Sequence, residues 1–340
     1  MTEQKLLEYL KKNPFVLAPM AGITDKAFRT LMREMGCGVV ITELVSATGL
    51  KYESQKTYQL MEFDEIQRPV GIQLFGESPE IIAEGAKKSQ DFGADFIDLN
   101  FGCPVPKVVK KGAGAAVLKD PLALAEILRK VKAAITIPLT IKIRTGWDQD
   151  SRNASEVVNI AANEGVTWVT IHGRTRAQGY TGFADWDFIR TIKRSAKIPV
   201  IGNGDIHSAA QAVDRLHVSG CDAVMIGRGC LKNPYIFSQA NSLWKAQQPQ
   251  NQVRPYTEIL ASLSQGLERS YDQRLVKIQL RKFAMWFSAG FPDSSQFRKE
   301  IFTEDELPRL KTSIESYFFR VQNLPMRDTS SEAFLMGGHG

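Results

Sequence analysis

Short apolar runs recur along the first two thirds of the chain and predict eight β-strands. Most of the runs are rich in β-branched residues or bounded by Gly, Pro or Asp, and they alternate little between apolar and polar positions. Such runs are typical of parallel strands covered on both faces. We place them at Val16–Ala18, Val39–Thr42, Val70–Leu74, Phe96–Leu99, Leu139–Ile143, Trp168–Ile171, Pro199–Ile201 and Ala223–Ile226.

Segments with a helical spacing of apolar residues lie between these strands. In Pro79–Phe92 and Pro121–Ile135 the apolar side chains share one side, and a proline stands near the start, where a helix tolerates it. Eight strands, each followed by room for a helix, predict an α/β protein of the (β/α)8 (TIM) barrel type. An open doubly wound sheet is the main alternative, but the turn after the first strand lacks the glycine-rich phosphate fingerprint of that fold.

The strand rhythm ends after the eighth run, and the pattern becomes helical. We therefore expect a catalytic barrel domain over residues 1–240 and an all-helical domain over residues 241–325. Residues Lys245–Pro255 are rich in Gln, Asn and Pro and are typical of a linker. Residues 326–340 are polar with terminal glycines, and we expect a flexible tail there.

Composition narrows the class of protein. The chain has 340 residues, of which 43% are hydrophobic, so it can bury a large core. No stretch approaches the roughly 18 apolar residues of a membrane helix, and no signal peptide is visible, which favours the cytoplasm. The four cysteines (Cys37, Cys103, Cys221 and Cys230) form no C-x-x-C pair, so we expect neither a metal site nor a disulfide framework. The net charge of +6 permits a polyanionic partner without requiring one.

Polar residues follow most of the predicted strands. A barrel of this kind builds its active site at the carboxyl ends of its strands, so these residues should converge. The loops 202–205 and 227–229 follow strands seven and eight, where such barrels bind phosphate, and Arg228 would add a charge-assisted bond. The pattern therefore predicts a phosphorylated cofactor or substrate.

Three of these residues favour chemistry over packing. Cys103 stands in a Gly-Cys-Pro sequence just past a strand, whereas we expect the other three cysteines to be buried. Lys142 alternates with two isoleucines and should point into the barrel mouth, where a buried ammonium needs an anion or an acceptor. His172 ends the sixth strand. His207 and His217 are expected on the surface of the helix after strand seven.

Six motifs in this order resemble the tRNA-dihydrouridine synthases, and most closely the bacterial B-type enzymes of that family. They are Ala18–Asp25, Asn100–Pro104, Lys142–Trp147, His172–Arg176, Asn203–Asp205 and Gly227–Arg228, and the likeness extends from about Pro14 to Val321. The resemblance implies a barrel that binds FMN and a helical domain that binds tRNA. It also implies reduction of a D-loop uridine to 5,6-dihydrouridine, with NADPH reducing the flavin.

The resemblance also assigns roles to residues of this chain. Cys103 would be the acid that protonates uracil C5 after hydride reaches C6, and Lys142 would stabilise reduced flavin near N1 and O2. The expected FMN-binding residues are Pro19, Met20, Ala21, Gln73, Lys142, His172, Asn203, Gly204, Asp205, Gly227 and Arg228. Asn100 would contact the uracil, and Arg144, Arg174 and Arg176 would contact the RNA.

The predicted helix Arg274–Phe287 has one basic and one apolar side. An ordinary solvated face explains this pattern as well as RNA binding does, but the resemblance favours contact with tRNA phosphates. The residues concerned are Arg274, Lys277, Arg281, Lys282 and Arg298.

Three other functions stay open at this point. The chain could be an FMN enzyme of a free pyrimidine, similar to dihydroorotate dehydrogenase, although such an enzyme needs no basic helical domain. It could be an RNA-binding relative without catalysis, which the presence of Cys103 and Lys142 disfavours. It could be a phosphate-binding barrel without flavin, such as an aldolase. We expect a monomer with no obligatory protein partner.

Overall fold

The computed structural model describes residues 1–247, 254–325 and 327, and eight parallel strands lie at its centre. Each strand coincides with a predicted apolar run to within a few residues, so the eight-strand prediction is confirmed. The strands are β1 (Phe15–Leu17), β2 (Val40–Ser46), β3 (Val70–Phe75), β4 (Phe96–Phe101), β5 (Leu139–Arg144), β6 (Trp168–His172), β7 (Val200–Asn203) and β8 (Ala223–Ile226).

The strands close into a barrel. Each of β2 to β7 pairs in parallel with the next strand along the chain, and β8 pairs with β1. A parallel bridge between Val16 and Val39 joins the two ends of the sheet, and the Leu17 N–H donates to the Val39 carbonyl at 3.0 Å. The predicted (β/α)8 architecture is confirmed, and the open doubly wound alternative is excluded.

Helices surround the barrel, and polar caps start several of them. The Asp120 carboxylate accepts from the N–H groups of Leu122 and Ala123, with Pro121 at the first helical position. The helices up to the end of the barrel are α1 (Glu3–Lys12), α2 (Lys26–Glu34), α3 (Ala47–Lys51), α4 (Gln55–Met61), α5 (Pro79–Asp91), α6 (Pro106–Val109), α7 (Pro121–Ala134), α8 (Ala154–Asn163), α9 (Trp186–Ser195), α10 (Ala209–Ser219), α11 (Gly229–Lys232) and α12 (Ile236–Trp244).

Two apolar clusters stabilise this architecture. The larger one lies between the outer faces of the strands and the surrounding helices. The smaller one fills the amino-terminal half of the barrel interior, where Phe96 and Trp168 meet edge to face at 5.2 Å. Leu6 and Leu10 of α1 belong to this inner cluster, so α1 closes the bottom of the barrel and leaves the opposite end for a site.

Four further helices follow the barrel and pack against it. They are α13 (Tyr256–Ser270), α14 (Gln273–Phe287), α15 (Ser294–Thr303) and α16 (Leu307–Val321). The ring of Phe283 stacks on Phe28 of α2 at 4.8 Å, and Gly266 of α13 lies where a Cβ would be 2.9 Å from Ala27. The helical segment is therefore anchored beside the loop that follows β1.

We propose that the boundary between the two parts lies slightly later than residue 240. Trp244 at the end of α12 packs edge to face on Phe15 of β1 at 6.2 Å, so α12 belongs to the barrel layer as a whole. We therefore propose Trp244 as its last residue. Most of the predicted linker, and the predicted tail apart from Arg327, lie outside the described residues. Within the described part of the chain, no helix has the length and apolarity that crossing a membrane requires.

Candidate active site

A pocket opens at the carboxyl ends of the strands, and the residues expected at the flavin converge on it. Cys103, Asn100 and Arg144 also line this pocket. The expected cofactor residues among its lining are Pro19, Met20, Ala21, Gln73, Lys142, His172, Asn203, Gly204, Asp205, Gly227 and Arg228. The structure thus brings together side chains that come from seven of the eight strands or the loops that follow them.

The loop after β1 forms one wall through a tight turn. The N–H groups of Ile23 and Thr24 both donate to the Met20 carbonyl, at 3.1 and 3.0 Å, and the Met20 N–H donates to the Thr24 hydroxyl. Gly22 has a φ of 69°, a left-handed conformation that favours glycine. This turn presents the backbone and side chains of Met20 and Ala21 to the pocket.

Lys142 of β5 is an unpaired cation in the pocket. The flanking residues Ile141 and Ile143 are fully buried outside the barrel interior, so Lys142 points inward as the alternation predicts. Its ammonium makes no hydrogen bond or ion pair with any described residue. Burial, reinforced by Arg144 and opposed by Asp98, lowers its pKa to about 8. A largely desolvated ammonium without a partner fits an anion or a carbonyl-bearing ligand.

His172 of β6 is equally unpartnered but carries no charge. Its side chain is buried and makes no hydrogen bond with the described residues. Burial lowers the pKa of its imidazole well below the usual range, and the nearby cations Lys142, Arg144, Arg174 and Arg228 lower it further. A neutral imidazole can donate through one nitrogen and accept through the other, which suits a ligand with polar ring atoms.

Cys103 is half-buried beside this pair, whereas Cys37, Cys221 and Cys230 are buried as expected. The Cys103 N–H donates to the side-chain oxygen of Asn100 at 2.8 Å, and its carbonyl accepts from the Ala115 N–H at 3.1 Å. These bonds fix the loop that carries the thiol. Burial raises the pKa of Cys103, although Arg144 and Lys142 oppose the shift, so the group is a protonated thiol at neutral pH.

The loops after β7 and β8 form the other side of the pocket. At Gly204, whose φ is 128°, a Cβ would lie 2.5 Å from the Ala184 side chain and 3.1 Å from the His172 ring. The Asp205 carboxylate receives two bonds from Arg174, at 2.8 and 2.9 Å, and one from the Ala184 N–H at 2.7 Å. Because its charge is paired, Asp205 can face an anionic ligand without strong repulsion.

This pairing changes the role expected for Arg174. Its guanidinium also donates to the carbonyls of Thr181 and Gly182, and only 3% of the residue is exposed. Four of the five N–H groups of the guanidinium thus have acceptors inside the protein. We propose that Arg174 mainly supports the Asp205 loop rather than an RNA backbone.

Arg144 and Arg176 differ from each other in their hydrogen bonds and in their position relative to the pocket. Arg144 donates to the carbonyls of Gly102, Thr175 and Gly179 at 2.7–2.9 Å, and its Nη2 group has no acceptor among the described residues. Arg176 does not line the pocket. It lies 4.4 Å from the centre of the Trp147 ring, and its Nε has no hydrogen-bond partner.

The basic side of α14 is only partly free. Arg281 donates to the carbonyls of Ile301 and Glu304, and Lys277 donates to the Asp305 carbonyl at 2.7 Å. Both side chains therefore hold the connection between α15 and α16, a role that the helical pattern could not indicate. Arg274 is exposed. Lys282 donates a long hydrogen bond to Gln279 at 3.4 Å, and Arg298 donates one to Ser288 at 3.5 Å.

The motifs and the pocket agree with a comparison against known families. The family model described as "Dihydrouridine synthase (Dus)" matches residues 16–320, which is most of the chain. The chain belongs to the dihydrouridine synthase family. This is a family of tRNA-modifying oxidoreductases, and the resemblance predicted from the six motifs is confirmed.

Curated relatives agree with this assignment. A "Probable tRNA-dihydrouridine synthase" of Rickettsia prowazekii is 39% identical over 313 residues, covering 91% of this chain and 95% of the relative. A "tRNA-dihydrouridine synthase B" of Pseudomonas aeruginosa is 35% identical over 325 residues, covering 95% and 98%. The second name agrees with the predicted likeness to the B-type enzymes.

Solved structures agree in fold alone. A histamine dehydrogenase from Rhizobium has a TM-score of 0.50 at 15% identity, with 69% of this chain and 46% of that chain covered. A 6-hydroxypseudooxynicotine amine oxidase from Pseudomonas geniculata has a TM-score of 0.56 at 15% identity, with 75% and 52% covered. The matched region therefore spans about half the length of each of these two chains.

The sequence analysis missed several residues that lie in or directly below the dihydrouridine synthase pocket. Tyr180 lines it, with the guanidinium of Arg228 4.9 Å from the centre of its ring. His207 also lines it, because it precedes α10 rather than lying on the helix surface. Asp98 lies fully buried below Gln73. Tyr180 and His207 lie a few residues after the ends of β6 and β7. This proximity is the sequence signal that could have placed them at the pocket.

Glu43 of β2 was missed as well. Its carboxylate accepts from the Gly22 N–H and is 7% exposed, and burial raises its pKa to about 7. Gln279 of α14 donates to the carbonyl of the same glycine at 3.5 Å. The turn that carries Met20 is thus held between the barrel and the helical segment. The described residues contain no cluster of His, Cys, Asp or Glu able to hold a metal ion.

Proposed function

We propose that this protein is an FMN-dependent tRNA-dihydrouridine synthase that reduces a D-loop uridine to 5,6-dihydrouridine, with NADPH as the reductant. The observation that carries the proposal is one pocket in which a protonated thiol, an unpaired lysine and a neutral histidine face the same space. tRNA is the substrate of the family, and hydride and proton addition to a uracil ring needs groups of these kinds.

The residues present fit FMN. Lys142 offers an unpaired cation for the electron-rich pyrimidine edge of a flavin, and Gln73 offers an amide beside it. At the other side, Gly227 lies where a Cβ would be 3.6–3.8 Å from Ala18 and Met20, so a side chain there would enter the pocket. With Asn203, Gly204 and Arg228, it would hold the phosphate. Met20 and Ala21 would cover the ring system.

When bound in its reduced form, FMN supplies the hydride that adds to C6 of the uracil. Negative charge then spreads over C5 and O4 of the substrate. Arg144 can donate from its free Nη2 to a carbonyl oxygen that gains this charge. The Cys103 thiol gives its proton to C5, which completes the saturated bond, and the thiolate takes a proton back from solvent. Because burial raises the pKa of Cys103, the thiol stays protonated until the proton is transferred to C5.

The target uridine must leave the stacked core of the tRNA to enter this pocket. Asn100 keeps one amide N–H without an acceptor among the described residues, and we assign that N–H to the uracil edge. The likeness to the B-type enzymes suggests position 17 of the D-loop. No separate nucleotide motif is visible, so NADPH would approach the flavin from the open side of the same pocket.

The helical segment would orient the tRNA. Arg274, Lys282 and Arg298 remain available for phosphate contacts, whereas Arg281 and Lys277 act inside the fold. On the barrel, Arg176 lies against Trp147 and is partly exposed, and we retain it as a contact to the RNA backbone. Such contacts fix the orientation of the RNA rather than its sequence.

The test is mass-spectrometric mapping of dihydrouridine in tRNA from a strain that lacks this gene. The strain is complemented with wild type, with Cys103→Ala, or with Cys221→Ala as a control at a buried cysteine outside the pocket. One D-loop dihydrouridine should be absent and should return with wild type and Cys221→Ala only. Persistence of every dihydrouridine in a strain without a redundant synthase would instead indicate a free-pyrimidine flavoenzyme. Full rescue by Cys103→Ala would exclude Cys103 as the acid.

A further inference from the structure

A continuous chain of hydrogen bonds runs below the pocket from β5 to the loop that carries the thiol. Thr140 donates to one oxygen of Asp98 at 2.6 Å, and Gln73 donates to the other at 2.7 Å. Asn100 donates to the Gln73 carbonyl oxygen at 2.8 Å. The side-chain oxygen of Asn100 then accepts from the N–H groups of Gly102 and Cys103, at 3.0 and 2.8 Å.

The two ends of this chain determine the orientation of both amides. The Asp98 oxygen that faces Gln73 serves as an acceptor, and a backbone N–H can only donate. Asn100 must therefore turn its oxygen to Cys103 and its nitrogen to Gln73. Gln73 must in turn present its oxygen to Asn100 and its nitrogen to Asp98. The orientation of each amide thus follows from the network.

We propose that Asp98 is a positioning residue that sets the hydrogen-bond polarity of the pocket floor and holds the Cys103 loop. Through this chain, Gln73 and Asn100 each keep one N–H that has no acceptor in the described part of the protein, and both side chains line the pocket. The floor therefore presents donors and selects ligands whose edge carries carbonyl oxygens. The proposal rests on the proposed function, because a flavin and a uracil are ligands of that class.

The surroundings of Asp98 support its role as a fixed acceptor. Its side chain is fully buried, and its oxygens accept from Gln73 Nε2 at 2.7 Å and from Thr140 Oγ1 at 2.6 Å, whereas the Ile97 carbonyl lies 3.3 Å from that hydroxyl. Burial raises its pKa, while the bonds from Gln73 and Thr140 and the charge of Lys142 oppose the shift and favour the carboxylate. Asp98 does not line the open pocket, so it would act on a ligand through Gln73 rather than directly.

The test measures alkylation of Cys103 by iodoacetamide in the full-length protein, with and without FMN, by mass spectrometry. Asp98→Leu removes the acceptor at similar shape, and Asp98→Asn keeps it. In Asp98→Asn the amide nitrogen can face Thr140, whose hydroxyl then donates to the Ile97 carbonyl, 3.3 Å away. We expect Asp98→Leu to raise the Cys103 rate about fivefold or more, since losing one hydrogen bond costs about 1 kcal/mol. Asp98→Asn should stay within about twofold of wild type.

The buried cysteines Cys37, Cys221 and Cys230 report unfolding in the same experiment. A wild-type rate at Cys103 in folded Asp98→Leu overturns the proposal, as does an equal increase in Asp98→Asn, which would indicate an effect of charge alone. If Asp98→Leu exposes all four cysteines, the alkylation rate is measured in Gln73→Met instead. This variant removes the hydrogen bond between Asn100 and Gln73. A wild-type rate at Cys103 in Gln73→Met overturns the proposal.

A double variant separates positioning from a general structural effect. Because Asp98 acts through Gln73, the Asp98→Leu/Gln73→Met variant should alkylate no faster than either single variant. Additive increases would contradict the chain. The alkylation rates in flavin-free protein depend on neither FMN binding nor tRNA reduction. Failure here therefore leaves the proposed function intact, and failure of the dihydrouridine mapping leaves the network intact.

Discussion

The lower and upper halves of the barrel interior are built on the same strands but have opposite character. On β4 the inward positions run from Phe96 through Asp98 to Asn100, and on β6 from Trp168 through Thr170 to His172. The lower layer is apolar and fully buried, and α1 covers it. The upper layer contains Lys142, whose ammonium has no partner among the described residues.

The two layers differ in how well their side chains are packed or hydrogen-bonded when no ligand is bound. The rings of Phe96 and Trp168 pack against apolar neighbours on all sides, so the lower layer contributes stability. In the upper layer, Lys142 and His172 lose hydration and gain no internal bond, which costs stability. On β4 and β6, four residues, about 13 Å along the strand, thus separate a core position from a position that lines the site.

The largest effect should follow from opening the lower layer. Trp168→Ala should reduce the free energy of unfolding by about 3–5 kcal/mol, because it leaves a cavity at the centre of the barrel. Urea denaturation measures the loss. Trp168→Phe is the control and should cost much less, since the Trp168 Nε1 has no hydrogen-bond partner to lose. A loss below about 1 kcal/mol in Trp168→Ala would contradict the role of this layer.

A substitution in the upper layer should increase the free energy of unfolding rather than reduce it. Lys142→Met removes a largely desolvated, unpaired ammonium, so the flavin-free protein should gain about 1–3 kcal/mol of unfolding free energy at pH 7. FMN affinity should fall at least about tenfold, because the cation for the pyrimidine edge is lost. Calorimetry and flavin fluorescence measure the two effects. A variant that loses both stability and affinity would show that Lys142 has an internal partner.

The pH dependence of that gain gives a sharper test. The pKa of Lys142 is about 8 in the folded protein, whereas an unfolded chain keeps the ordinary lysine value of 10.5. Between these values the unfolded chain binds more protons, so the stability of the flavin-free wild type should rise with pH. Its deficit relative to Lys142→Met should be complete below about pH 8 and vanish by about pH 10.5. A deficit that does not change with pH would contradict desolvation of the charged ammonium.

Much of this contrast could be predicted from the sequence. The strand rhythm predicted the barrel, and alternation beside Ile141 and Ile143 predicted the inward direction of Lys142. The Gly-Cys-Pro sequence distinguished Cys103 from three buried cysteines. These predictions succeeded because each depends on local periodicity or on a position at the end of a strand.

The rest depends on partners that are distant in the sequence. Nothing near Arg174 indicates that its fork is taken by Asp205, and nothing near Arg281 indicates the carbonyls of Ile301 and Glu304. An arginine that holds a loop and an arginine that binds RNA have the same local pattern. Asp98 was missed for the same reason, since its partners come from the two neighbouring strands.

The smallest effect should locate the boundary between the layers. Thr170 lies directly above Trp168 on β6, and its buried hydroxyl has no hydrogen-bond partner. Thr170→Val keeps the shape and removes that hydroxyl, so it should be neutral or add up to about 1 kcal/mol of stability. Thr140→Val on β5 is the matched control. Its hydroxyl donates to Asp98, so the same substitution there should cost about 1–2 kcal/mol. Thermal unfolding of the pair measures the difference. Equal losses would mean that Thr170 belongs to the polar layer, and that the apolar layer ends at Trp168.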